Sequence, residues 1–570
     1  MKYRYYLILS LLLAGYGAVL SRLAYLQLWC HDDLARKAQQ QSTRCLKSAP
    51  FRGPILDRCG RSLAMSVRVG SCFADPTLID NVERTARDVG TLVGESASVL
   101  TTKIRKTRGA FVWMKRYLSA EQSRSIEKSG WTGVGLKWEY RRHYPNGNLA
   151  SNLLGLVGSE GHGMSGLELL GDEWLLDRPT PQRFLRDGRG VGVEVLSTDK
   201  WEPQSWMMST IDQTIQYIAE RELDWGMKRS KASRGVVVVQ DPRTGEILAL
   251  ASRPSLNLSP EHKIRPEELQ VPGVHWVFEP GSTFKVVTAA AALEEQLVSP
   301  NETFDCENGE WKTSGLTIHD HEREQILTFA QVIERSSNIG TAKVGLRLGK
   351  EKFFDYVRLF GFGAPTASEL PGEASGMLRP ISRWSGVSLP MISFGQEIGV
   401  TPVQLACAYS AIANGGTLME ARILQKVSDP GGVLKSWVIP SPIRQMVSPK
   451  TCQTVTRFLE GVVERGTGKA AAMTGWKVAG KTGTAQKIDP RTRKYSAEKY
   501  VASFCGFVPS RNPRLTIVVI LDEPKGISWG GYNAGPVFRN VASHVLTYLG
   551  ISPDDNALWA GEKKKGGIPS

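Results

Sequence analysis

An apolar run at the N-terminus constrains the fold of this chain more than any other stretch. Residues 5–28 contain a single charged side chain, Arg22, near the far end of the run. As a helix with a rise of about 1.5 Å per residue, the run spans about 36 Å, which is enough to cross a bilayer. The run therefore predicts one transmembrane helix, with Arg22 able to extend its charge towards the membrane surface.

The residues that flank the run predict its orientation and its retention. Lys2 and Arg4 precede it, so the positive-inside rule predicts a cytoplasmic N-terminus. The run ends at 26–29 without a small-x-small cleavage site, so we expect it to stay attached. We predict a cytoplasmic tip at 1–4, the membrane helix at 5–28, a stalk at 29–48, and an extracytoplasmic remainder.

A serine and a lysine lie three residues apart at the start of a strongly helix-forming run. Pro280-Gly281-Ser282-Thr283-Phe284-Lys285 precedes the run 286–296, which contains four consecutive alanines. Positions i and i+3 share a helix face, so the Ser282 hydroxyl and the Lys285 amine can lie within hydrogen-bond reach. The free N–H groups of a first helical turn would favour an oxyanion there. Alone, the spacing is common, and a serine near a helix start is usually a cap.

Two further motifs follow the first at long intervals. Ser336-Ser337-Asn338 comes after a helical stretch at 329–335, and Gly480-Lys481-Thr482-Gly483-Thr484 comes after the strand-like residues 476–479. Ser-x-x-Lys, Ser-x-Asn and Lys-Thr-Gly in this order are typical of penicillin-binding proteins and class A β-lactamases. The chain resembles the class B penicillin-binding proteins of the cell-division type, penicillin-binding protein 3.

The resemblance extends over most of the chain. Residues 52–60 are similar to the family's signature for the non-catalytic domain, with Cys59 where asparagine is usual. Residues 278–280, 485–486 and 395–402 also match the family pattern. The resemblance implies a catalytic serine, an acyl-enzyme, and covalent inhibition by β-lactams.

The family's roles for the first two motifs carry over by position. Ser282 would attack the D-Ala-D-Ala amide, and Lys285 would take its proton if burial and nearby positive charge keep the lysine neutral. Ser336 would relay the proton towards the leaving amine. Asn338 would orient Lys285 and bind the substrate peptide.

The third motif would bind the donor peptide. Lys481 would add positive potential to the cleft, and the hydroxyls of Thr482 and Thr484 would bind the terminal carboxylate. Gly483, which has no side chain, would let the substrate lie against the strand. The oxyanion hole would consist of the backbone N–H groups of Ser282 and Thr484.

The order of predicted elements indicates the fold. A helix from Gln213 to about Met227 is followed by a hairpin of strands 235–240 and 246–250. Strands at both ends of the region with helices between them favour an α/β domain with an antiparallel central sheet flanked by helices. With the resemblance, this predicts an elongated α+β pedestal of dimerisation type at 49–204, a transpeptidase domain at 205–550, and a flexible basic tail at 551–570.

These expectations together predict a peptidoglycan D,D-transpeptidase that joins a stem-pentapeptide donor to an amine-bearing acceptor peptide during septum formation. No glycosyltransferase domain is recognisable, so the resemblance implies a membrane-embedded glycosyltransferase and other division proteins as partners. An elongation-type transpeptidase, a D,D-carboxypeptidase and a penicillin-sensing protein of the same fold remain alternatives. No cofactor is expected.

One alternative comes from another enzyme class. Residues 475–482 satisfy the phosphate-loop pattern, and 515–523 resemble a Walker B strand. A phosphate loop must lead into a helix, whereas 483–487 lead into Asp489-Pro490. We therefore expect a buried central strand at 515–521 and no ATPase.

The remaining features of the composition exclude few classes of function. A net charge of +15 suggests nucleic acid, but no such motif is present, and anionic lipid or cell-wall polymer explains the charge equally well. The sequence leaves open whether one disulfide forms among the cysteines from Cys30 to Cys72. His319-Asp320-His321 supplies too few ligands for a metal site. Glu369 and Glu373 flank an ordinary loop, so no deacylating glutamate is expected.

Overall fold

A computed structural model describes the backbone of residues 2–47, 51–158, 160–176, 181–186, 192–195, 205–258, 264–313, 315–437, 439–489, 491–492 and 494–554. The chain forms two compact units. The first comprises 1–51, 68–141 and 177–203, and the second comprises 52–67, 142–176 and 204–570. The predicted tail from 555 onwards lies outside the described residues.

The strands are β1 (Thr43–Lys47), β2 (Ile55–Leu56), β3 (Ser62–Ala74), β4 (Val112–Lys115), β5 (Val134–His143), β6 (Pro181–Arg186), β7 (Gly192–Val195), β8 (Trp206–Ser209), β9 (Arg234–Gln240), β10 (Ile247–Arg253), β11 (Thr303–Asp305), β12 (Glu310–Thr313), β13 (Leu316–His319), β14 (Ile326–Thr328), β15 (Thr417–Met419), β16 (Leu424–Ser428), β17 (Leu434–Trp437), β18 (Pro442–Gln445), β19 (Ala479–Ile488), β20 (Tyr495–Val508) and β21 (Leu515–Asp522).

The α-helices are α1 (Lys2–Ala24), α2 (His31–Ser42), α3 (Val82–Val93), α4 (Ala97–Lys106), α5 (Ala120–Ser129), α6 (Ser151–Leu154), α7 (Gly166–Leu170), α8 (Asp172–Leu175), α9 (Gln213–Ser230), α10 (Pro272–His275), α11 (Lys285–Glu294), α12 (Phe329–Glu334), α13 (Asn338–Leu348), α14 (Lys350–Leu359), α15 (Ser388–Ser393), α16 (Pro402–Ala413), α17 (Pro449–Glu464) and α18 (Gly530–Tyr548).

The N-terminal helix is the one predicted from the apolar run. Helix α1 continues through a π-helical turn, Tyr25–Trp29, and the combined 28-residue helix Lys2–Trp29 is long and apolar enough to cross a membrane. None of its apolar side chains is buried against protein. The predicted span 5–28 lies entirely within this helix.

The first unit has its own small core. The second half of β3 pairs antiparallel with β4, and helices α3, α4 and α5 surround a core that includes Val89, Leu100 and Ile126. Helix α3 starts where the Asn81 side chain accepts the N–H of Arg84, so the local sequence sets where the helix begins.

The second unit is built on an antiparallel sheet with strand order β10-β9-β21-β20-β19. Alternate residues of its strands enter two different cores. Val236 and Val238 pack on the side of α11 and α16, whereas Val237 and Val239 pack on the side of α9 and α18. Because both faces are covered, every residue of the central strand β21 is buried. The predicted fold class and the central strand at 515–521 are confirmed.

The predicted helix and hairpin at the start of this region are also confirmed. Helix α9 begins after Asp212, whose carboxylate accepts the N–H groups of Thr214 and Ile215 at 2.8 and 3.3 Å. It ends at Ser230, three residues beyond the predicted end. Strands β9 and β10 then pair antiparallel.

A buried ion network links residues 52–67 and 142–176, which both belong to the second unit, to each other. Arg52 donates to Glu168 and Asp172 at 2.5 and 2.7 Å, and Arg142 donates to Glu168 at 2.7 Å. The Glu168 side chain is fully buried. Parts of the predicted pedestal range 49–204 therefore pack with the second unit, and the boundary after residue 204 stays a prediction.

The seven cysteines whose side chains the structure describes are free thiols. They include Cys30, Cys59 and Cys72 of the N-terminal cluster. The side chain of Cys45 lies outside the described residues, so a pairing that involves it stays untested.

Candidate active site

The candidate nucleophile lies on a tight turn that leads into a buried helix. Ser282 is part of the 3₁₀ turn Gly281–Phe284, and α11 starts directly after it, at Lys285. Gly281 has φ of 55°, a left-handed conformation that favours glycine. The Thr283 carbonyl accepts a hydrogen bond from the buried Tyr409 hydroxyl at 2.8 Å, which holds the turn in place.

Lys285 is fully buried and is held by the second motif. Its Nζ donates to the Ser336 carbonyl at 2.6 Å, to Asn338 Oδ1 at 2.8 Å and to Ser336 Oγ at 3.3 Å. Burial lowers the pKa of Lys285 from 10.5 to about 7, although the charges of Asp320 and Cys306 act in the opposite direction. In the part of the chain that the structure describes, Lys285 makes no hydrogen bond with Ser282, although i and i+3 spacing permits one.

The second motif forms the turn between α12 and α13. Ser336 adopts φ of 64°, which turns both its carbonyl and its hydroxyl towards Lys285. Ser337 caps α13 by accepting the N–H of Gly340 at 2.9 Å. The Asn338 amide donates to the His319 carbonyl at 2.9 Å, so its oxygen is left to face Lys285.

Asp320 organises this turn, and the sequence analysis missed it. Its carboxylate accepts the Ser337 hydroxyl, the Asn338 N–H and the Ile339 N–H. Asp320 thereby anchors the N-terminus of α13, where a carboxylate is favoured. The residue attracted attention only as part of a possible metal site. No local signal links it to a turn 17 residues away.

The third motif is part of an edge strand. Lys481, Thr482, Gly483 and Thr484 all lie within β19, which pairs with β20 and ends the sheet. The strand starts at Ala479, so the prediction of a strand at 476–479 preceding the motif is wrong. Trp476 is in a bend after Gly475, which has φ of 87°. The phosphate-loop alternative is also excluded, because β19 is followed by β20 and not by a helix.

Lys481 is the second fully buried lysine of the site. Its Nζ donates to the Thr482 carbonyl at 3.3 Å. Burial and the neighbouring charge of Lys285 hold the pKa of Lys481 well below its usual value of 10.5. Without an anionic ligand, the two lysines therefore disfavour carrying two charges at once.

The threonines of β19 make contacts that the sequence did not predict. Thr482 Oγ1 is 2.7 Å from the Thr467 hydroxyl, and Thr484 Oγ1 accepts the Gly530 N–H at 3.1 Å. Thr467 lies between two glycines after α17, and Gly530 begins α18. The flanking glycines were the only available sign of a turn at Thr467.

Gly483 lies where its strand packs closely against neighbouring segments of the protein. A Cβ there would lie 2.4 Å from Ser503 Oγ and 2.9 Å from both the Pro280 carbonyl and Thr283. A side chain is excluded here because the strand packs against Ser503 of β20 and against the nucleophile turn. The role of Gly483 in admitting the substrate stays a prediction. Among the strands that the structure describes, β19 is the last of its sheet, so its outer edge is available for pairing with an extended peptide.

Glu369 and Glu373 are engaged in backbone contacts. Glu369 accepts the N–H groups of Ile423 and Leu424 at 3.0 and 3.3 Å. Glu373 accepts the N–H groups of Thr366 and Ser368 at 2.9 and 3.3 Å, and their hydroxyls as well. Both carboxylates therefore stabilise loops of the second unit.

The structure thus brings together the motif residues expected to act together. Lys285, Ser336 and Asn338 are in direct contact, and the Gly281 Cα is close enough to β19 that an added Cβ would lie 3.3 Å from the Thr484 carbonyl. Within the described residues, no cluster of three or more metal-ligating side chains occurs. A buried lysine of lowered pKa beside a serine turn is suited to acyl transfer.

Comparison of the sequence with known protein families agrees with this geometry. The penicillin-binding protein transpeptidase domain matches residues 235–543, and the penicillin-binding protein dimerisation domain matches residues 47–175. The chain therefore belongs to the penicillin-binding proteins with a transpeptidase domain. With both domains present, it is a class B penicillin-binding protein of the penicillin-binding protein 3 type.

Similar curated proteins span nearly the whole chain. The chain is 34% identical to Stage V sporulation protein D of Bacillus subtilis, over 95% of this chain and 85% of that protein. It is 30% identical to the peptidoglycan D,D-transpeptidase FtsI of Escherichia coli K12, over 99% of this chain and 94% of that protein.

Solved structures show the same fold. Penicillin-binding protein 3 of Mycobacterium tuberculosis in complex with aztreonam is 29% identical, with a TM-score of 0.68 over 89% of this chain and 98% of that one. A peptidoglycan synthetase of Bifidobacterium adolescentis is 25% identical, with a TM-score of 0.71 over 90% of this chain and 98% of that one.

Proposed function

We propose that this protein is a peptidoglycan D,D-transpeptidase that cross-links stem peptides through an acyl-serine intermediate. The observation that carries the proposal is Lys285, a fully buried lysine held by Ser336 and Asn338, whose pKa is lowered to about 7. Relatives named peptidoglycan D,D-transpeptidase and the aztreonam complex of a similar structure support the same chemistry.

The acylation step uses the first two motifs. Ser282 Oγ attacks the carbonyl carbon between the two terminal D-alanines, and neutral Lys285 takes the hydroxyl proton. Ser336 Oγ, which is 3.3 Å from Lys285 Nζ, passes a proton to the leaving D-alanine amine. The C–N bond breaks as the ester to Ser282 Oγ forms. Asn338 keeps Lys285 in place.

The donor peptide binds along β19. Its backbone pairs with the free edge beside Gly483, and its terminal carboxylate is bound by the hydroxyls of Thr482 and Thr484. That carboxylate restores the charge of Lys481, because an anion nearby offsets the burial that lowers the lysine pKa. The N–H groups of Ser282 and Thr484 form the oxyanion hole, where loss of one donor costs about 3 kcal/mol.

The acyl-enzyme waits for an amine because neither candidate for a deacylating carboxylate is free to activate water. Glu369 and Glu373 are the carboxylates considered for that role, and both accept backbone N–H groups instead. This arrangement favours transfer to an acceptor peptide over a carboxypeptidase reaction, and a long-lived adduct with β-lactams.

The cellular role follows from the anchor and the relatives. We propose that helix Lys2–Trp29 spans the cytoplasmic membrane with the N-terminus inside, and that the transpeptidase domain acts outside during septum formation. A membrane-embedded glycosyltransferase and other division proteins would then be its partners. Septal localisation of a fluorescent fusion, with the domain accessible to external protease, tests this placement.

Labelling with a fluorescent penicillin tests the nucleophile. We expect stoichiometric covalent labelling of the full-length protein in detergent, and none for Ser282→Ala with an unchanged melting temperature. Labelling that persists in Ser282→Ala overturns the assignment. With a D-alanyl thioester donor, added acceptor amine should yield the aminolysis product. Free acid as the sole product identifies a carboxypeptidase, and acylation without release identifies a sensor.

A further inference from the structure

Glu279 has an unsatisfied carboxylate oxygen three residues before Ser282. Its Oε1 accepts the Glu397 N–H at 3.1 Å and the Tyr495 hydroxyl at 3.2 Å. Its Oε2 is buried and has no hydrogen-bond partner within the described residues. A buried polar oxygen without a donor costs free energy, so its retention calls for an explanation.

Other buried carboxylates of the second unit are satisfied. Glu168 is bound by two arginines, and Asp522 is bound by Lys487 and Arg234. Glu369, which is buried to a similar extent, accepts two backbone N–H groups. Glu279 Oε2 is the one carboxylate oxygen that is both buried and without a donor in the described part of the chain.

The charged and titratable groups around Glu279 do not supply the missing donor. Glu397 presents its backbone N–H, while its carboxylate is bound by Arg379 and Ser388. The Tyr495 hydroxyl already donates to Oε1. The guanidinium of Arg379 is thus paired with Glu397. Glu279 Oε2 therefore remains an acceptor that suits a cationic donor from outside the protein.

Glu279 also lies where two sides of the second unit meet near the nucleophile. Tyr495 begins β20, whose partner β19 carries the third motif, and it packs against the small core that contains Ile318 and Ile339 beside Asn338. The backbone of the neighbouring Phe278 is bridged to Val400. A ligand group at Oε2 would therefore lie beside the segment that leads into the Ser282 turn, next to the start of β20.

We propose that Glu279 Oε2 binds the ammonium group of the acceptor peptide and takes one of its protons before the amine attacks the acyl-enzyme. The proposal rests on the transpeptidase function proposed above and names the acceptor site within it. The chemical class of ligand is a primary amine that is protonated in water.

The proton balance of the transfer step is complete with groups already described. The ammonium gives one proton to the Glu279 carboxylate and becomes a neutral amine. Its nitrogen then bonds to the ester carbonyl carbon, and the bond from that carbon to Ser282 Oγ breaks. A second proton leaves the nitrogen through Lys285 and reaches Ser282 Oγ, so that the products are an amide, a free serine and a protonated Glu279.

The protonation behaviour of Glu279 agrees with this role. Burial raises the pKa of Glu279 to about 7, against the opposing effect of its hydrogen bonds from Glu397 and Tyr495. A carboxylate with a pKa near neutrality takes a proton from a bound ammonium more readily than one with an ordinary pKa, and releases it again near neutral pH.

Comparison of Glu279→Gln with Glu369→Gln tests the proposal on the full-length protein. Glu369 is a matched control, because burial raises its pKa to about 7 as well. Unlike Glu279 Oε2, its carboxylate oxygen has protein donors, the N–H groups of Ile423 and Leu424. The assay uses a D-alanyl thioester donor with D-alanine as the acceptor amine, and measures the ratio of aminolysis to hydrolysis. We expect penicillin acylation within about threefold of wild type in both variants, and an aminolysis ratio at least tenfold lower in Glu279→Gln alone.

Each outcome decides the proposal. An aminolysis ratio within twofold of wild type in Glu279→Gln overturns it, and so does a parallel loss of acylation and aminolysis, which would identify a positioning residue of the nucleophile turn. If Glu279→Gln fails to fold, Glu279→Asp replaces it and should lower the ratio while labelling persists. Failure of Ser282 labelling instead overturns the transpeptidase function itself, so the two failures are distinguishable.

Discussion

Two clusters of buried charge in the second unit differ in how the charge is compensated. Arg52 and Arg142 form hydrogen-bonded ion pairs with Glu168, and all three side chains are buried. Lys285 and Lys481 are also fully buried, but within the described residues they donate to carbonyl, hydroxyl and amide oxygens and to no carboxylate.

The difference separates a structural cluster from a chemical one. A paired buried charge stays charged, and its removal leaves the partner uncompensated. An unpaired buried lysine instead loses its proton readily, as the pKa of about 7 for Lys285 indicates. Burial without a counter-ion thus destabilises the fold and at the same time creates a base.

The largest expected effect is on catalysis at the unpaired cluster. Lys285→Met should slow penicillin acylation by about 100- to 10,000-fold, because general-base catalysis is lost. The same variant should be at least as stable as wild type at pH 7, because burial of Lys285 costs free energy, as its pKa of about 7 indicates. Stopped-flow acylation and chemical denaturation measure the two effects. A destabilised Lys285→Met would place this lysine with the paired cluster.

The paired cluster should respond in the opposite way. Glu168→Gln should lower the free energy of unfolding by about 3–5 kcal/mol, since two buried arginines lose their counter-ion. The acylation rate of the molecules that remain folded should not change. Glu83→Gln, which removes a partly exposed pair with Arg105, is the control and should cost less than about 1 kcal/mol.

The two clusters should also differ in their dependence on pH. Acylation should increase about tenfold per pH unit below a midpoint near 7 and level off above it, because Lys285 acts as a base only when deprotonated. Stability should fall as the pH drops from about 10.5 towards 7, because the unfolded chain binds the Lys285 proton first. Lys285→Met should lose that part of the stability slope. A pH-independent acylation rate between 6 and 8 would contradict the assignment.

The smallest expected effect is at Thr467. Thr467→Val removes the hydroxyl that lies 2.7 Å from Thr482 Oγ1 and keeps the shape of the side chain. Acylation should slow by less than about tenfold, in line with the loss of one neutral hydrogen bond. The loss should appear as weaker donor binding at an unchanged melting temperature, and Thr454→Val, on the exposed face of α17, is the matched control.

The sequence predicted those parts of the site that lie within short segments. Ser282 and Lys285 lie in one short segment, and Ser336 and Asn338 lie in another, so the order of the motifs and the family resemblance identified them. Asp320 escaped because its contact with Ser337 depends on how a hairpin packs against α13. Likewise, the order of strands and helices predicted the central sheet, but not that Gly483 faces the nucleophile turn. Packing between distant segments sets these features.

The glycines around the nucleophile turn have a consequence for the evolution of drug resistance. A Cβ at Gly530 would lie 2.1 Å from the Gly483 carbonyl, and one at Gly395 would lie 2.1 Å from the Gly281 carbonyl. Substitution at these positions would force backbone segments apart and impair the transfer reaction together with β-lactam binding. Resistant variants that stay viable should therefore arise at exposed neighbours such as Trp529, which can change without moving the backbone.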